Sequence, residues 1–433
     1  MDRRQAYRWT VLLGALACGA CGGGRSAYTE PSREERQGIH LLRLVGTPYE
    51  MGRQHGRLMA AELADGVQFV QSDPLFSLFL PMARSQGLIE DALAQSYPEI
   101  LDECRGMEAG AQEAGVAGWD METCVALAYG DVIIAFLNDM LGNGCTQFVA
   151  AGPATPDGVM VHGRNMDWDR LSYLIHHPTV IVRRPDGGVP FASVGFPGNV
   201  APYNGINDAG LSIASNNNGA NPDTDPNQRN RRGHTQMIYQ MLSQCRSLDQ
   251  AEAFMLAQTH ARATILVVAD GERETAAVFE ISPSHHAARR LSANGLVFAT
   301  NHFLDPAMDA YDNEPDKPQD STVCRLERLK QLLPADGAET LYGRLDAAAA
   351  VGVLRDRKNG CTGEVYPPEE FDTNGSIANN GAIWSMVFEP RERRFFLAAG
   401  EPPVPSHPYV GFGLDELLHP GAPLPEPAFY PGL

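Results

Sequence analysis

Apolar positions along this chain repeat with a helical period over the first third and switch near Cys145 to short alternating runs. The first element with a mechanism is "GTPYEMGRQHGRLMAAELADGVQFV". Thr47 is placed to cap a helix, Pro48 fits its first turn, and Glu50 completes a T-x-x-E capping box. Met51, Leu58, Leu63, Val67 and Val70 then follow on one helical face. "IEDALAQSYPEILDECRGMEAGAQEAG" and "METCVALAYGDVIIAFLNDML" repeat the pattern, so residues 40–144 read as a helical segment.

From Cys145 the period is two. "CTQFVAA" and "VMVHGRN" flank "GPATPDG", a turn signal, and predict a hairpin. "FASVGFPG", "GLSIASNN", "TILVVAD", "TAAVFEIS", "GLVFATNHF", "IWSMVFEP" and "RRFFLAAG" read as further strands. Helical patterns intervene at "HTQMIYQMLSQCRSLDQAEAFML" and "STVCRLERLKQLL". Strand runs punctuated by helices predict an α+β sandwich with helices packed on antiparallel sheets.

The N-terminus changes the picture by fixing a compartment. "MDRRQAYRWTVLLGALACGACGGGRSAYTE" has a basic start, a short apolar run and then small residues around two cysteines. This is the pattern of a secretory signal peptide over residues 1–20, too short to span a bilayer. A small-residue segment running into cysteine also resembles a bacterial lipobox, with Cys18 or Cys21 as the lipid-bearing residue and plain secretion as the alternative. Residues 21–39 then read as a linker. The expectation is an exported protein, periplasmic or at the cell surface, held to the membrane by a lipid anchor.

Charge excludes a class of partner. The formal net charge of −19 becomes −21 once residues 1–20, with three Arg and one Asp, are removed. So acidic a chain is a poor ligand for nucleic acid or an anionic membrane surface. Length of 433 residues suits two or three average domains or one large enzyme domain with an accessory part, and 43% apolar content allows a large core. The acidic residues and histidines show no metal-ligand spacing such as H-E-x-x-H, and no cofactor is expected. Beyond the lipobox pair, six cysteines remain: Cys104, Cys124, Cys145, Cys245, Cys324 and Cys361. Six allow three disulfides in an oxidising compartment. If one is a working thiol, at least one other stays unpaired.

The tetrapeptide "NGCT" occurs twice, at residues 143–146 and 359–362. With a turn centred between Thr155 and Pro156, Cys145 pairs with about position 166. That sets "GRNMDW" beside the thiol, with Arg164 and Asp167 in reach, an arrangement suited to an activated nucleophile. Cys361 is followed by the acidic, proline-containing "GEVYPPEEFD" and reads as a loop residue, because carboxylates raise a thiol pKa. The only histidine near Cys145 in sequence is His162. A cut between Gly144 and Cys145 would supply another base, the new α-amine, with an unperturbed pKa of about 7.7–8.0. A glycine before the cysteine leaves the scissile carbonyl easily approached.

"NGCTQFVA…DGVMVHGRNMDW" resembles the nucleophile hairpin of cysteine N-terminal-nucleophile (Ntn) hydrolases, in the isopenicillin-N acyltransferase-like branch. Choloylglycine hydrolases and acid-ceramidase-like amidases are its cousins. "GTPYEMGRQHG" and "YPEILDECRGMEAGAQEAGV" resemble that branch's small-subunit helices, "GINDAGLSIASNNN" its central hairpin, and "ATNHF" with "STVCRLERL" its later active-site segments. The resemblance spans roughly residues 40–400.

It implies a four-layer αββα sandwich and a chain that cuts itself after Gly144, leaving residues 40–144 as a small chain and 145–433 as the core. Cys145 would be the nucleophile. Asp167 would orient its α-amine and Arg164 would lie near thiol and substrate. Asn301 would supply an oxyanion donor, and Asn217, with Asn216 as a close rival, would be a second site asparagine. Arg325 would support the site. The implied activity is cleavage of linear amide bonds in small molecules, or acyl transfer, through a cysteine thioester. The alternative is an inactive lipoprotein that keeps the fold for binding. Substrate identity does not follow from the residues.

Overall fold

The computed structural model describes residues 26–128, 144–168, 172–218, 232–312, 320–369 and 375–433. The signal peptide and both candidate lipidation sites, Cys18 and Cys21, lie outside the described residues. Two strands come first, β1 (Ser32–Arg36) and β2 (Ile39–Gly46), joined by a two-residue turn in which Gln37 and Gly38 both have positive φ. This corrects the reading of 21–39 as linker and of 40 onward as helix. An eight-residue apolar run such as "IHLLRLVG" has no period that separates strand from helix. Its place in a sheet decides the matter.

Helices α1 (Pro48–Leu58), α2 (Ala60–Ser72), α3 (Pro74–Ser85), α4 (Leu88–Gln95), α5 (Pro98–Glu113) and α6 (Met121–Ala128) follow. The Thr47–Glu50 capping box forms: Glu50 N donates to Thr47 Oγ1 at 3.3 Å, and Thr47 N donates to Glu50 Oε2 at 2.8 Å. α1 and α5 approach backbone to backbone because each carries glycines four residues apart, which fall on one helical face. A Cβ on Gly52 would lie 2.0 Å from Glu103 O, and one on Gly106 would lie 2.0 Å from Tyr49 O.

Near Cys145 the strands begin: β3 (Gly144–Gly152) and β4 (Gly158–Asp167), then α7 (Ser172–His176), β5 (Thr179–Pro185), β6 (Phe191–Gly195), β7 (Asn204–Asn207) and β8 (Leu211–Asn217). Next come α8 (His234–Gln244), α9 (Leu248–Leu256), β9 (Thr264–Asp270), β10 (Thr275–Ile281), β11 (His286–Arg290) and β12 (Leu296–Ala299). The chain ends with α10 (Ser321–Leu332), α11 (Ala347–Leu354), β13 (Ala382–Glu389), β14 (Arg394–Ala399), β15 (Tyr409–Gly413), α12 (Leu414–Leu418) and β16 (Phe429–Tyr430).

These strands make two sheets, one ordered β1-β2-β5-β6-β7-β8-β9-β10-β11 and the other β12-β3-β4-β13-β14-β15-β16. All pairings are antiparallel except β2 with β5, which is parallel. The sheets face each other through β3, β4 and β8. α1, α8 and α9 cover the outer face of the larger sheet, and α10 and α11 that of the smaller. Four layers result, helix–sheet–sheet–helix, the αββα order the sequence motifs implied. Among the described residues no helix is long and apolar enough to cross a membrane.

The segment before Cys145 is built into this sandwich, not appended to it. β2 is an interior strand of the larger sheet, and Glu103 on α5 forms a fully buried ion pair with Arg183 on β5, at 2.7 Å from Nη2 and 2.9 Å from Nε. Arg183 also donates to Asn199 O at 2.9 Å. Burial pushes the Glu103 carboxyl up while Arg183 holds it down. Removing one partner leaves the other charge buried alone, so Glu103→Ala will cost about 3–5 kcal/mol of stability. Denaturant unfolding of the uncut chain measures it.

Candidate functional site

The β3–β4 hairpin pairs Gly144 with Asp167, Cys145 with Met166, Thr146 with Asn165 and Gln147 with Arg164. The turn-centre estimate therefore lands on the observed partner of Cys145. Side chains alternate along a strand, so Cys145, Gln147 and Arg164 face the opposite sheet, while Gly144, Thr146 and Asp167 face α10. The Asp167 carboxylate lies against the Cα of Gly144. A Cβ there would sit 2.7 Å from Asp167 Oδ2, which already accepts from Asn379 Nδ2 at 2.6 Å. Glycine precedes the cysteine because a buried carboxylate occupies the space of any larger side chain.

The main chain of Cys145 is gripped on both sides. Its N–H donates to Asn301 Oδ1 at 2.8 Å, and its carbonyl accepts from Arg325 Nη1. The same guanidinium donates to Thr146 Oγ1 at 3.1 Å and, through Nη2, to Asn301 Oδ1 at 2.8 Å. Asn301 Nδ2 in turn donates to Asn217 O at 2.7 Å. Two donors converging on Oδ1 fix the orientation of the Asn301 amide: its oxygen, and not its donor, faces Cys145. Asn301 is itself held by its backbone N–H, which donates to Thr322 Oγ1 at 2.7 Å.

Asn216 and Asn217 separate clearly. Asn216 points between the sheets, where Nδ2 donates to Thr300 O at 2.8 Å and Oδ1 accepts from Gln147 Nε2. Gln147 Oε1 meets His162 Nε2 at 3.0 Å, and His162 Nδ1 meets Ser212 Oγ at 3.0 Å. A carbonyl only accepts, so every donor in this row of hydrogen bonds is assigned from the Thr300 end: His162 is protonated on Nε2 and accepts from Ser212. The imidazole is neutral, and burial, reinforced by Arg164, pushes it down to about 3. Asn217 contributes its carbonyl to Asn301, and its side-chain amide makes no hydrogen bond among the described residues.

Electrostatics around the sulfur run against a free thiolate in the uncut chain. Burial pushes the Cys145 thiol up, and that outweighs the pull of Arg164 and Arg325 while Asp167 pushes it further up. Sγ lies 3.9 Å from Asp167 O. Arg164 donates from Nη2 to Ser215 O at 2.6 Å, whereas its Nε and Nη1, both buried, make no hydrogen bond to the described residues. Asp167 is pushed up to about 6 by burial, against Arg325, Asn379 and Arg164, which all favour its charged form.

That shift has a sign for stability. Between about pH 4 and 6 the native Asp167 carboxyl holds a proton that the unfolded chain has released, so unfolding stability falls as pH rises through this window. Above it the burial penalty is constant, on the order of 3 kcal/mol. In an uncut Cys145→Ala background, Asp167→Asn will therefore gain stability relative to its Asp167 parent between pH 4 and pH 7. Denaturation midpoints at the two pH values check this.

The cysteines divide as follows among the described residues. Cys104 is bonded to Cys124 and Cys324 to Cys361, while Cys145 and Cys245 are free and buried. Cys361 is a loop residue, and its loop is tied to α10. Thr146, Gln147, Thr322 and Asn379 also touch the site. The first three lie inside "NGCTQFVA" and "STVCRLERL" without a role read from them, Gln147 having a legible signal in its place two residues from Cys145 on the same strand face, and Asn379 lies in no motif. Among the described residues no group of three or more His, Cys, Asp or Glu side chains is placed to hold a metal ion.

Residues 154–403 match the acyl-coenzyme A:6-aminopenicillanic acid acyl-transferase family. The chain belongs to this family. The matched span contains Arg164, Asp167, Asn216, Asn217, Asn301 and Arg325, and Cys145 lies just before it. An uncharacterized protein of Archaeoglobus fulgidus is 29% identical over 232 residues, 48% of this chain and 38% of that protein, so the chain spans well under half the length of that relative. Among solved structures, the Caenorhabditis elegans ortholog of N-acylethanolamine-hydrolyzing acid amidase is 20% identical, covering 57% of this chain and 93% of that one with a TM-score of 0.41. A variant of the conjugated bile acid hydrolase from Clostridium perfringens is 11% identical, covering 67% of this chain and 97% of that one with a TM-score of 0.43.

Proposed function

We propose that this family member is an exported enzyme that cuts itself between Gly144 and Cys145 and then uses Cys145 to cleave linear amide bonds, or to transfer the acyl group, through a thioester. The observation that carries the reading is the grip on Cys145. Its nitrogen faces Asn301 Oδ1, its carbonyl faces Arg325, and its free sulfur lies 3.9 Å from Asp167 O within the field of Arg164. Family membership supports amide hydrolysis or acyl transfer as the reaction class. The two disulfides support an oxidising compartment, in line with the signal peptide and an anchor at Cys18 or Cys21.

In the self-cut, Cys145 Sγ adds to the Gly144 carbonyl carbon and the peptide nitrogen leaves as the α-amine. Water then releases the thioester, leaving Gly144 with a carboxylate. The amine inherits the nitrogen position, beside Asn301 Oδ1. With a pKa in the neutral range it is the base that the buried thiol lacks in the uncut chain. In turnover it takes the thiol proton, sulfur attacks the amide carbon, and the proton passes to the departing amine. Water or a second amine then takes the acyl group. Asn301 Oδ1 and Asp167 hold the amine, Arg325 holds the strand, and the amide of Asn217, without a hydrogen bond among the described residues, is a side-chain donor available to the oxyanion.

The test is N-terminal sequencing of active protein together with turnover on a panel of N-acyl amides. A Cys145 N-terminus with release of an amine from the panel is expected. A single uncut chain in active material overturns the processing step, and a cut chain inert on the panel favours a binding role.

A further inference from the structure

The second "NGCT" is fastened to the helix that serves the first. Cys361 is bonded to Cys324, the residue immediately before Arg325 on α10. Asn359 shapes the loop, its Oδ1 accepting from Cys361 N at 2.9 Å and Thr362 N at 3.0 Å. Gly360 then lies flat on the helix. A Cβ there would fall 1.9 Å from Cys324 O and 2.6 Å from Arg328 N, so only glycine permits this approach. One turn further on, Arg328 is paired with Asp356 and Glu339 at 2.8 Å each. The disulfide thus fixes the first turn of α10, while the ion pairs fix the next.

That first turn carries the site. Arg325 is fully buried and reaches Cys145 O, Thr146 Oγ1 and Asn301 Oδ1 from it. We propose that Cys324–Cys361 is a positioning clasp for catalysis: it sets the place of the Arg325 guanidinium against Cys145 and Asn301, and opening it lowers turnover through Arg325. This rests on the proposed catalytic reading. Misplacing a positioning group by about 1 Å costs about a hundredfold in rate, and the ion pairs of Arg328 keep the rest of the helix docked when the clasp opens. Cys361 is exposed, whereas Cys104 and Cys124 are fully buried, so a reductant meets this disulfide first.

The experiment uses processed wild-type protein with a sequenced Cys145 N-terminus. It is titrated with a water-soluble trialkylphosphine, which supplies two electrons, leaves as the phosphine oxide with oxygen from water, and yields two thiols. Cys361 labelling, turnover and the pH profile of Cys145 alkylation by iodoacetamide are followed together. Turnover should fall about 100-fold in step with Cys361 labelling, with KM little changed, and the alkylation profile should move to higher pH as Arg325 withdraws. A processed Cys324→Ser/Cys361→Ser variant should show the low rate from the start and ignore the phosphine. Full turnover with Cys361 labelled, or an alkylation profile that does not move, overturns the clasp. Oxidised wild-type protein with a free Cys145 N-terminus and no amide turnover overturns the catalytic reading instead, and the alkylation profile still decides the clasp.

Discussion

Replacing Cys145 by alanine will leave a single uncut polypeptide and reduce amide turnover by on the order of 10⁶-fold, the scale seen when a covalent nucleophile is removed. Both effects share one atom. In the proposed mechanism Sγ attacks the Gly144 carbonyl in the self-cut and the substrate carbonyl afterwards, and among the described residues one other cysteine is free. Cys245, the other free cysteine of the described residues, is buried without a charged partner in its surroundings, and burial alone pushes it up to about 11. Cys361→Ala, by contrast, will still yield a Cys145 N-terminus, because Gly144, Asp167 and the sulfur are untouched. Intact mass and N-terminal sequencing of the two variants decide the point. A papain-like enzyme would instead stay uncut and need a histidine base. His162 and His302 are the imidazoles closest to the site in the hydrogen-bond pattern, and burial pushes them down to about 3 and about 4. His162 is committed to Gln147 and Ser212, and His302 Nδ1 to Thr322 at 2.7 Å. An uncut active chain that dies on loss of either histidine would overturn the N-terminal-nucleophile reading.

The hairpin that carries Cys145 was legible because a turn sequence fixes register: "GPATPDG" sets which residue opposes which, and the observed partner of Cys145 is Met166. The capping box at Thr47 was legible for a similar reason, since both of its bonds are made within four residues. β2 was not. Its apolar run gains its identity only from parallel pairing with β5, some 140 residues away, and nothing local announces that partner. The Cys324–Cys361 pairing was beyond reach for the same cause, because several connectivities satisfy the same six cysteines. At the site, hairpin register pointed to Arg164 and the family resemblance to the asparagines and Arg325, but the direction of an amide did not follow from its sequence. Asn301 has its oxygen toward Cys145 because Arg325, on a helix from a later segment, donates to that same oxygen.

That orientation separates two roles for Asn301, and they predict different mutants. An oxyanion donor acts through Nδ2, and losing one costs about 10²–10³ in turnover. A holder of the Cys145 amine acts through Oδ1, which the structure turns toward the nitrogen at 2.8 Å. Asn301→Ala removes both ends and will lower turnover by about 10²–10³ in either case. Asn301→Asp keeps an acceptor toward Cys145 N and Arg325 and abolishes the donor to Asn217 O. If the oxygen is what matters, processed Asn301→Asp protein will retain turnover within about tenfold of wild type, a loss of about 1.4 kcal/mol or less in transition-state stabilisation. Its added charge will also hold the α-ammonium more tightly, so the acid limb of the rate profile will move to higher pH. If Asn301→Asp falls as far as Asn301→Ala, the donor end carries the chemistry and the oxyanion role passes back to Asn301. Both variants must first show a Cys145 N-terminus, since a chain that cannot cut itself is inactive without any defect in turnover. Asn217→Ala then completes the comparison. Its side-chain amide has no partner among the described residues, so its removal breaks no bond to them, and a loss of about 10²–10³ in turnover there identifies the oxyanion donor.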